Sequence, residues 1–388
     1  MITISDTLVE EIKTARRWLH RHPEISYEEY QTTEFIVSTL TSWNIEFHRF
    51  NSLKTGGWAD VGESDKNILG FRADIDGLPI TENAKHPIRS KHEGVMHACG
   101  HDYHTVIGLG LIRYFSKHPD NLNGKLRVIF QPAEETTPDG ASYVCKEPIF
   151  KCMSGIFAVH VDPELKIGQF SIINGQSCAS STLIKLTFNG PGGHTSRPHK
   201  TVDLIRVTAQ YIVQLQGYLK SIIDSRNDFT LVFGNIHGGS YHNVIPSKIS
   251  LDGTLRNFDN NVLKKLLEEI RIFSQHFETI YGLKISVDFP NSTPAVVNDS
   301  EMFEQFINFS RFSGYGSDIV IPEKPSMGAD DFAHYLNNVP GLYFRIGAEG
   351  SGSSHSNEFI LNENLIKPAT EFIINYVLSY FNKYSSKT

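Results

Sequence analysis

Apolar residues recur along this chain in two rhythms. Leu8, Ile12, Ala15 and Leu19 share one side of a helix, which His22-Pro23 stops. Ser26 and Glu29 have the spacing of a capping box, and Phe35, Ile36 and Leu40 continue a second helix from it. Strands and helices then alternate to about residue 175, with strands predicted over 68–75, 125–131 and 155–161 and a helix over 105–118. Near-continuous apolar strands separated by helices imply a sheet covered on both faces.

The stretch 181–291 has a different order. Strands are predicted over 183–188, 229–236, 249–255 and 283–289, and helices over 202–223 and 261–281. In the second of those helices Leu263, Leu266, Leu267, Ile270, Phe273, Phe277 and Ile280 are expected to face inward, and Gly282 follows as a C-terminal cap. The order β-α-β-β-α-β is that of a ferredoxin-like unit. Helices over 301–312 and 365–380 and a strand over 341–346 return the chain to its first domain. The expected fold is α/β: a catalytic domain from 1–180 and 292–388 with a mixed, mainly parallel sheet, interrupted by an α+β domain over 181–291.

Composition narrows the function classes. A chain of 388 residues exceeds what one core usually serves, and 40% apolar with 20% charged residues describes a soluble globular protein. A net charge of -7 argues against nucleic-acid or anionic-membrane partners. Four cysteines (Cys99, Cys145, Cys152 and Cys178) are too few for a disulfide scaffold, and the start carries no secretory signal, so a reducing cytoplasm is expected. No apolar run is long enough to span a bilayer.

The candidate chemistry sits where strands end, the place where ligands collect in open α/β sheets. Asp74 and Asp76 lie two apart, hence on one side of an extended backbone. Glu134 and Glu135 follow a strand through Pro132, so one carboxylate can bind a cation while the other moves a proton. His160 ends the third strand, and His355 sits in a Gly/Ser loop. Cys99-Gly100-His101 pairs a thiol with an imidazole across a glycine that permits a tight bend. Taken alone, that pair also reads as a Cys/His nucleophile or as a small buried Cys beside a structural His; the neighbouring acids favour a metal. Pro191-Gly192-Gly193-His194 reads as a loop able to bring an imidazole to an oxyanion, or as an ordinary hairpin.

Together these segments resemble the amidohydrolase branch of the dinuclear-metal aminoacylase/carboxypeptidase family, which includes hippurate hydrolases, auxin-conjugate hydrolases and N-acetyl-diaminopimelate deacetylases. The resemblance runs from Leu19-His20-Arg21-His22-Pro23-Glu24 to His355-Ser356. It is sharpest in the segments 72–79, 96–102, 130–135, 192–194 and 243–246. It implies metal ligands at Cys99, His101, Glu135, His160 and His355, and a general base at Glu134. A ligand-orienting acid aligns best with Asp76, with Asp74 as competitor. His194 would contact the substrate carbonyl or oxyanion, and Asn243 and Arg256 would hold a substrate carboxylate.

The implied activity is hydrolysis of N-acyl amino acids by water activated on two divalent ions (Mn, Zn, Co or Ni). Dipeptidase or carboxypeptidase action and a non-catalytic metal-binding relative are the alternatives. The inserted domain is expected to act as a lid and to pair in a homodimer. Tyr103, Asp330-Asp331-Phe332 and the segment 136–140 depart from the family's usual residues, which bears on substrate preference more than on chemistry.

Overall fold

The computed structural model describes residues 1–63, 67–83 and 88–385. The chain separates into two compact units. The first comprises Met1–Ser177, Val297–Lys324 and Asp331–Thr388; the second comprises Cys178–Val296 and Pro325–Asp330. The late loop joins the second unit through backbone hydrogen bonds: Ala179 N–H donates to the carbonyls of Ser326 and Gly328, each at 3.0 Å.

In the first unit, α1 (Asp6–Arg21) and α2 (Tyr30–Ser42) come first. The Ser5 hydroxyl caps α1 by accepting from Leu8 N–H, and the helix buries Leu8, Ile12, Ala15 and Leu19 together with Arg16 and His20. The expected capping box does not form. Helix α2 begins after Glu29, whose side chain makes no cap bond and turns into the protein. The Ser26 hydroxyl instead donates to Asp76 Oδ2 at 2.7 Å. Tertiary partners have taken both groups of the local motif.

The main sheet contains β1 (His48–Arg49), β2 (Gly57–Gly62), β3 (Ile68–Asp74), β4 (Lys125–Gln131), β5 (Met153–Asp162), β6 (Phe170–Ser171), β7 (Ile319–Val320) and β8 (Gly341–Gly347). Their spatial order is β1-β2-β4-β3-β5-β8-β6-β7. The middle (β4-β3-β5-β8) is parallel, and β1 and β2 add an antiparallel edge. Strand β3 is buried along its whole length, its apolar start (68–71) followed by the paired Arg72 and Asp74. Helix α3 (His101–Lys117) packs on β3 and α1, with α4 (Ser300–Phe312) and α5 (Ile366–Ser385) completing the core. No helix among the described residues is long and apolar enough to cross a membrane.

The second unit is a four-stranded antiparallel sheet in the order Phe229–His237, Lys248–Asn257, Ser181–Asn189, Lys284–Thr293. Helices Leu204–Ile222 and Asn260–Tyr281 share its core with Ile184, Leu186, Phe188 and Leu251. Asp203 and Asp259 cap the helix starts, and Gly282 ends the second helix in the left-handed region at φ 68°. One expected core position fails: Ile280 is 72% exposed. It sits in the last helical turn, where Phe277 is the last side chain of that face to reach the core.

Candidate metal centre

Four backbone features of the first unit converge at the carboxyl ends of β3, β4 and β5. Strand β3 delivers Asp74 and then Asp76. Gly100, at φ 83°, starts α3 and puts His101 at its first position. A Cβ at residue 100 would strike the Val161 side chain, so glycine serves both the left-handed turn and the close approach. After β4, Ala133 takes a positive φ of 57° and turns Glu134 and Glu135 toward His101. His355, also at positive φ (65°), is fastened by its N–H to Ala98 O at 2.9 Å.

These features bring six side chains together. Cys99, His101 and His160 form one mutual group with their donor atoms within 4.8 Å of one another; Cys99, Glu135 and His355 form a second, and His101, Glu134 and Glu135 a third. Cys99 Sγ lies 3.3 Å from His160 Nε2, and His355 Nε2 lies 3.1 Å from Glu135 Oε1. His101 Nε2 is buried with no hydrogen-bond partner among the described residues, yet Asp74 Oδ2, Glu135 Oε1 and Glu134 Oε2 stand 3.7, 3.8 and 3.9 Å from it. Those separations are too long for hydrogen bonds. They suit ligand atoms sharing a cation, since donors at about 2.0–2.2 Å from a common ion stand about 3–4 Å apart.

The donor set passes a chemical test for such ions. His160 Nδ1 donates to its neighbour's carbonyl, Val161 O, at 2.7 Å, which leaves the Nε2 lone pair facing Cys99. Burial, reinforced by His104 and Arg345, holds the His160 pKa well below its ordinary value, so the imidazole is neutral. Burial and the Glu135, Glu134 and Asp74 carboxylates push the Cys99 thiol well above its ordinary value. Burial opposes charging of His101, but Asp74, Asp76 and Glu135 outweigh it and raise its pKa to about 10. A centre this rich in carboxylates favours positive charge, and a divalent ion held there would favour the deprotonated thiol.

The two aspartates separate by their partners. Asp76 sits beneath His101: Nδ1 lies 2.9 Å from Asp76 O and 3.2 Å from Oδ1, while Ser26 Oγ and Glu135 N–H donate to Oδ2 at 2.7 and 2.9 Å. Asp74 Oδ1 accepts a hydrogen bond from His104 Nδ1 at 2.6 Å, and Asp74 pairs with the buried Arg72. Val161 N–H donates to His104 Nε2 at 3.0 Å, fixing the tautomer that makes Nδ1 the donor. Burial opposes ionisation of both carboxyls, but their cationic and hydrogen-bonding partners prevail and hold both pKa values below the ordinary range.

Several residues of this surround escaped the sequence reading. His104 lies one helical turn beyond His101 on a helix buried on nearly every side, and that i, i+3 spacing was its only signal. Arg72 ties Asp74 to Gln131 Oε1 (2.9 Å) and to Asp331, and no local pattern announces that link.

His194, Asn243 and Arg256 belong to the second unit. His194 is exposed, and Ser196 N–H donates to its Nδ1 at 3.1 Å, leaving the proton on Nε2. Asn243 O accepts from Thr195 N–H at 3.2 Å, and Arg256 Nη1 donates to Met327 O at 2.8 Å.

Positions 70–379 match the profile of peptidase family M20/M25/M40. An N-acetyl-L-cysteine deacetylase of Bacillus subtilis is 34% identical over 369 residues, covering 95% of this chain and 87% of its own. An N-acetyldiaminopimelate deacetylase of Priestia megaterium is 32% identical over 365 residues, covering 93% and 96%. A crystal structure from B. subtilis, described as a dinuclear metal binding peptidase from the M20 family, superposes with a TM-score of 0.84 at 29% identity over 97% of this chain and 99% of that one.

Proposed function

The chain belongs to peptidase family M20/M25/M40, and from that membership we propose that it removes the acyl group from N-acyl amino acids, with two divalent ions as cofactor. The observation that carries this reading is the orphaned, buried His101 Nε2 ringed by carboxylates and bordered by Cys99 and His160. Cys99, His101, Glu135, His160 and His355 would hold the ions. Bound divalent ions supply a water acidified toward neutral pH and a Lewis acid for the scissile carbonyl.

The chain's own residues would do the rest. Glu134 stands beside the ligand group with its carboxylate 3.9 Å from His101 Nε2. It takes the water's proton and returns it to the leaving amine, as a general base and then a general acid. Asp76 fixes the His101 ring through Nδ1, so that the other nitrogen is presented as a ligand. His194, with its proton on Nε2, is assigned to the oxyanion, and Asn243 and Arg256 to the substrate carboxylate. These three assignments, and the second unit's part as lid and dimer contact, rest on the sequence resemblance.

A thiolate and three imidazoles favour Zn²⁺ by softness, while the carboxylate admits Mn²⁺, Co²⁺ or Ni²⁺. All four cysteines are free, in keeping with a reducing cytoplasm. The test is a screen of metal-loaded protein against N-acetyl-amino acids, N-benzoyl-amino acids and dipeptides. The reading expects turnover of the first class, loss on chelation and recovery with added metal. It expects Glu134→Gln to be inactive with its metal content intact. Turnover confined to dipeptides would move the protein to the peptidases, and activity unmoved by chelators would remove the metal from the reaction.

A further inference from the structure

Glu29 is fully buried, and among the described residues no Lys or Arg pairs with it. It lies on the loop before α2, outside the metal-ligand group. Its partners are three donors from three parts of the chain: Tyr27 N–H (3.0 Å) and Ala133 N–H (2.8 Å) on Oε1, and the Thr55 hydroxyl (2.7 Å) on Oε2. Burying a carboxylate without a cation is unfavourable, so a position that keeps one needs a reason beyond packing. A helix cap would supply one, but Glu29 makes no cap bond.

The Ala133 bond supplies the reason. Ala133 holds a left-handed φ of 57°, a conformation that residues with a Cβ rarely adopt. Pro132, just before it, has no N–H to anchor the turn. Ala133 O accepts from Gly140 N–H at 2.7 Å, and Glu135 N–H donates to Asp76 Oδ2 at 2.9 Å. The backbone is therefore pinned on both sides of Glu134: by Glu29 at residue 133 and by Asp76 at residue 135. Thr33 adds to the anchorage by donating to Glu29 O (2.6 Å) and accepting from Gly56 N–H (2.9 Å). That frame joins the start of α2 to the Thr55-Gly56 turn.

We propose that Glu29 is a positioning residue for the reaction, holding the Ala133 turn so that the Glu134 carboxylate is aimed at the water it deprotonates. The proposal rests on the reading of Glu134 as general base. Glu29 acts through the Ala133 N–H and touches neither substrate nor metal. Glutamine has the same length, keeps Oε1 for the two backbone donors, and offers an N–H to a Thr55 hydroxyl that can rotate to accept it. Aspartate is one methylene too short to keep both sides.

The test compares Glu29→Ala, Glu29→Asp and Glu29→Gln with the metal-loaded wild type on an N-acetyl-amino acid, measuring kcat, KM and bound metal, with Glu134→Gln alongside. In Glu29→Ala and Glu29→Asp, kcat should fall about 10- to 100-fold, with KM within about twofold and metal content unchanged. Glu29→Gln should recover kcat to within about threefold of wild type. Wild-type kcat in Glu29→Asp, a loss of metal parallel to the loss of rate, or a Glu29→Gln variant as slow as Glu29→Ala would each overturn the proposal. Because Glu29→Asp keeps the carboxylate, it decides the matter even where Glu29→Ala does not fold. If Glu134→Gln is inactive and Glu29→Asp is fully active, the positioning role fails alone; if Glu134→Gln turns over normally, the base assignment fails and takes the positioning role with it.

Discussion

The two units hold their candidate functional groups in opposite ways. In the first unit Asp74, Asp76, His101 and His104 are buried, and each is locked by other side chains or by backbone. In the second unit His194 is exposed and its partners are its own loop neighbours. Where a side chain must keep a fixed distance to its neighbours, folding contacts hold it. The side chain proposed to meet a substrate that comes and goes is left on the surface. Substitutions at Asp74, Asp76, His101 or His104 should therefore disturb folding or metal binding together with rate, and substitutions at His194 should disturb rate alone.

The largest effect on folding should come from Asp102, which follows His101 and is 1% exposed. It accepts from Arg16 Nε at 2.9 Å and lies 2.9 Å from His20 Nδ1. Asp102→Ala leaves the Arg16 charge buried without its carboxylate, a change that costs about 3–5 kcal/mol. Thermal unfolding should show a clear drop in midpoint, and an unchanged midpoint would break the contrast between the units. Next comes His194→Ala. If the imidazole serves the oxyanion, kcat should fall about 10²- to 10³-fold while unfolding midpoint and bound metal match wild type. A comparable fall in midpoint would show that His194 is structural after all.

Ser26→Ala should act more gently, removing the hydroxyl that donates to Asp76 Oδ2 at 2.7 Å. The expected cost is about 1–2 kcal/mol of stability and about a tenfold weakening of metal affinity, read by unfolding and by competition with a chelator. The smallest effect should be seen at the His334–Asp139 pair, 3.1 Å apart and away from the ligand group. Burial opposes the charged form of each, but the contact between them wins. The His334 pKa is raised and that of Asp139 is lowered. The imidazolium stabilises fully below its unfolded pKa of ~6.5 and is lost as pH rises through the raised folded value; the carboxylate stabilises fully above ~3.9 and is lost as pH falls through the lowered one. Their joint contribution, about 1 kcal/mol or less, is greatest between those two unfolded values. The midpoint difference between wild type and His334→Gln should thus be larger at pH 5.5 than at pH 8.5, measured by thermal unfolding. A difference that grew toward pH 8.5 would reverse the sign.

What the sequence disclosed follows from the same physics. The strands that end in or lead to Asp74, Glu134 and His160 are rich in apolar residues, and such runs declare themselves without knowledge of their neighbours. The antiparallel edge β1-β2 did not, because two residues of β1 make no period and β2 contains two glycines. Glu29 was misread for a related reason. The spacing Ser-x-x-Glu states a local preference, and two buried partners far along the chain, Ala133 and Asp76, outbid it for the two side chains. Ile280 failed because helical period identifies a face but not where that face runs out of core. Arg72 and Asp331 pair across 259 positions, a separation at which no pattern in one sequence is informative.

The proposed chemistry depends most on the five ligand side chains of the first unit binding metal as a set. Elemental analysis of the protein, loaded with Zn²⁺ or Mn²⁺ and freed of excess ions by gel filtration, tests this directly. Two ions per chain in the wild type, fewer in His160→Ala, and two again in Glu134→Gln are the expected result. No retained metal under any loading condition, or an undiminished pair of ions in His160→Ala, would contradict it.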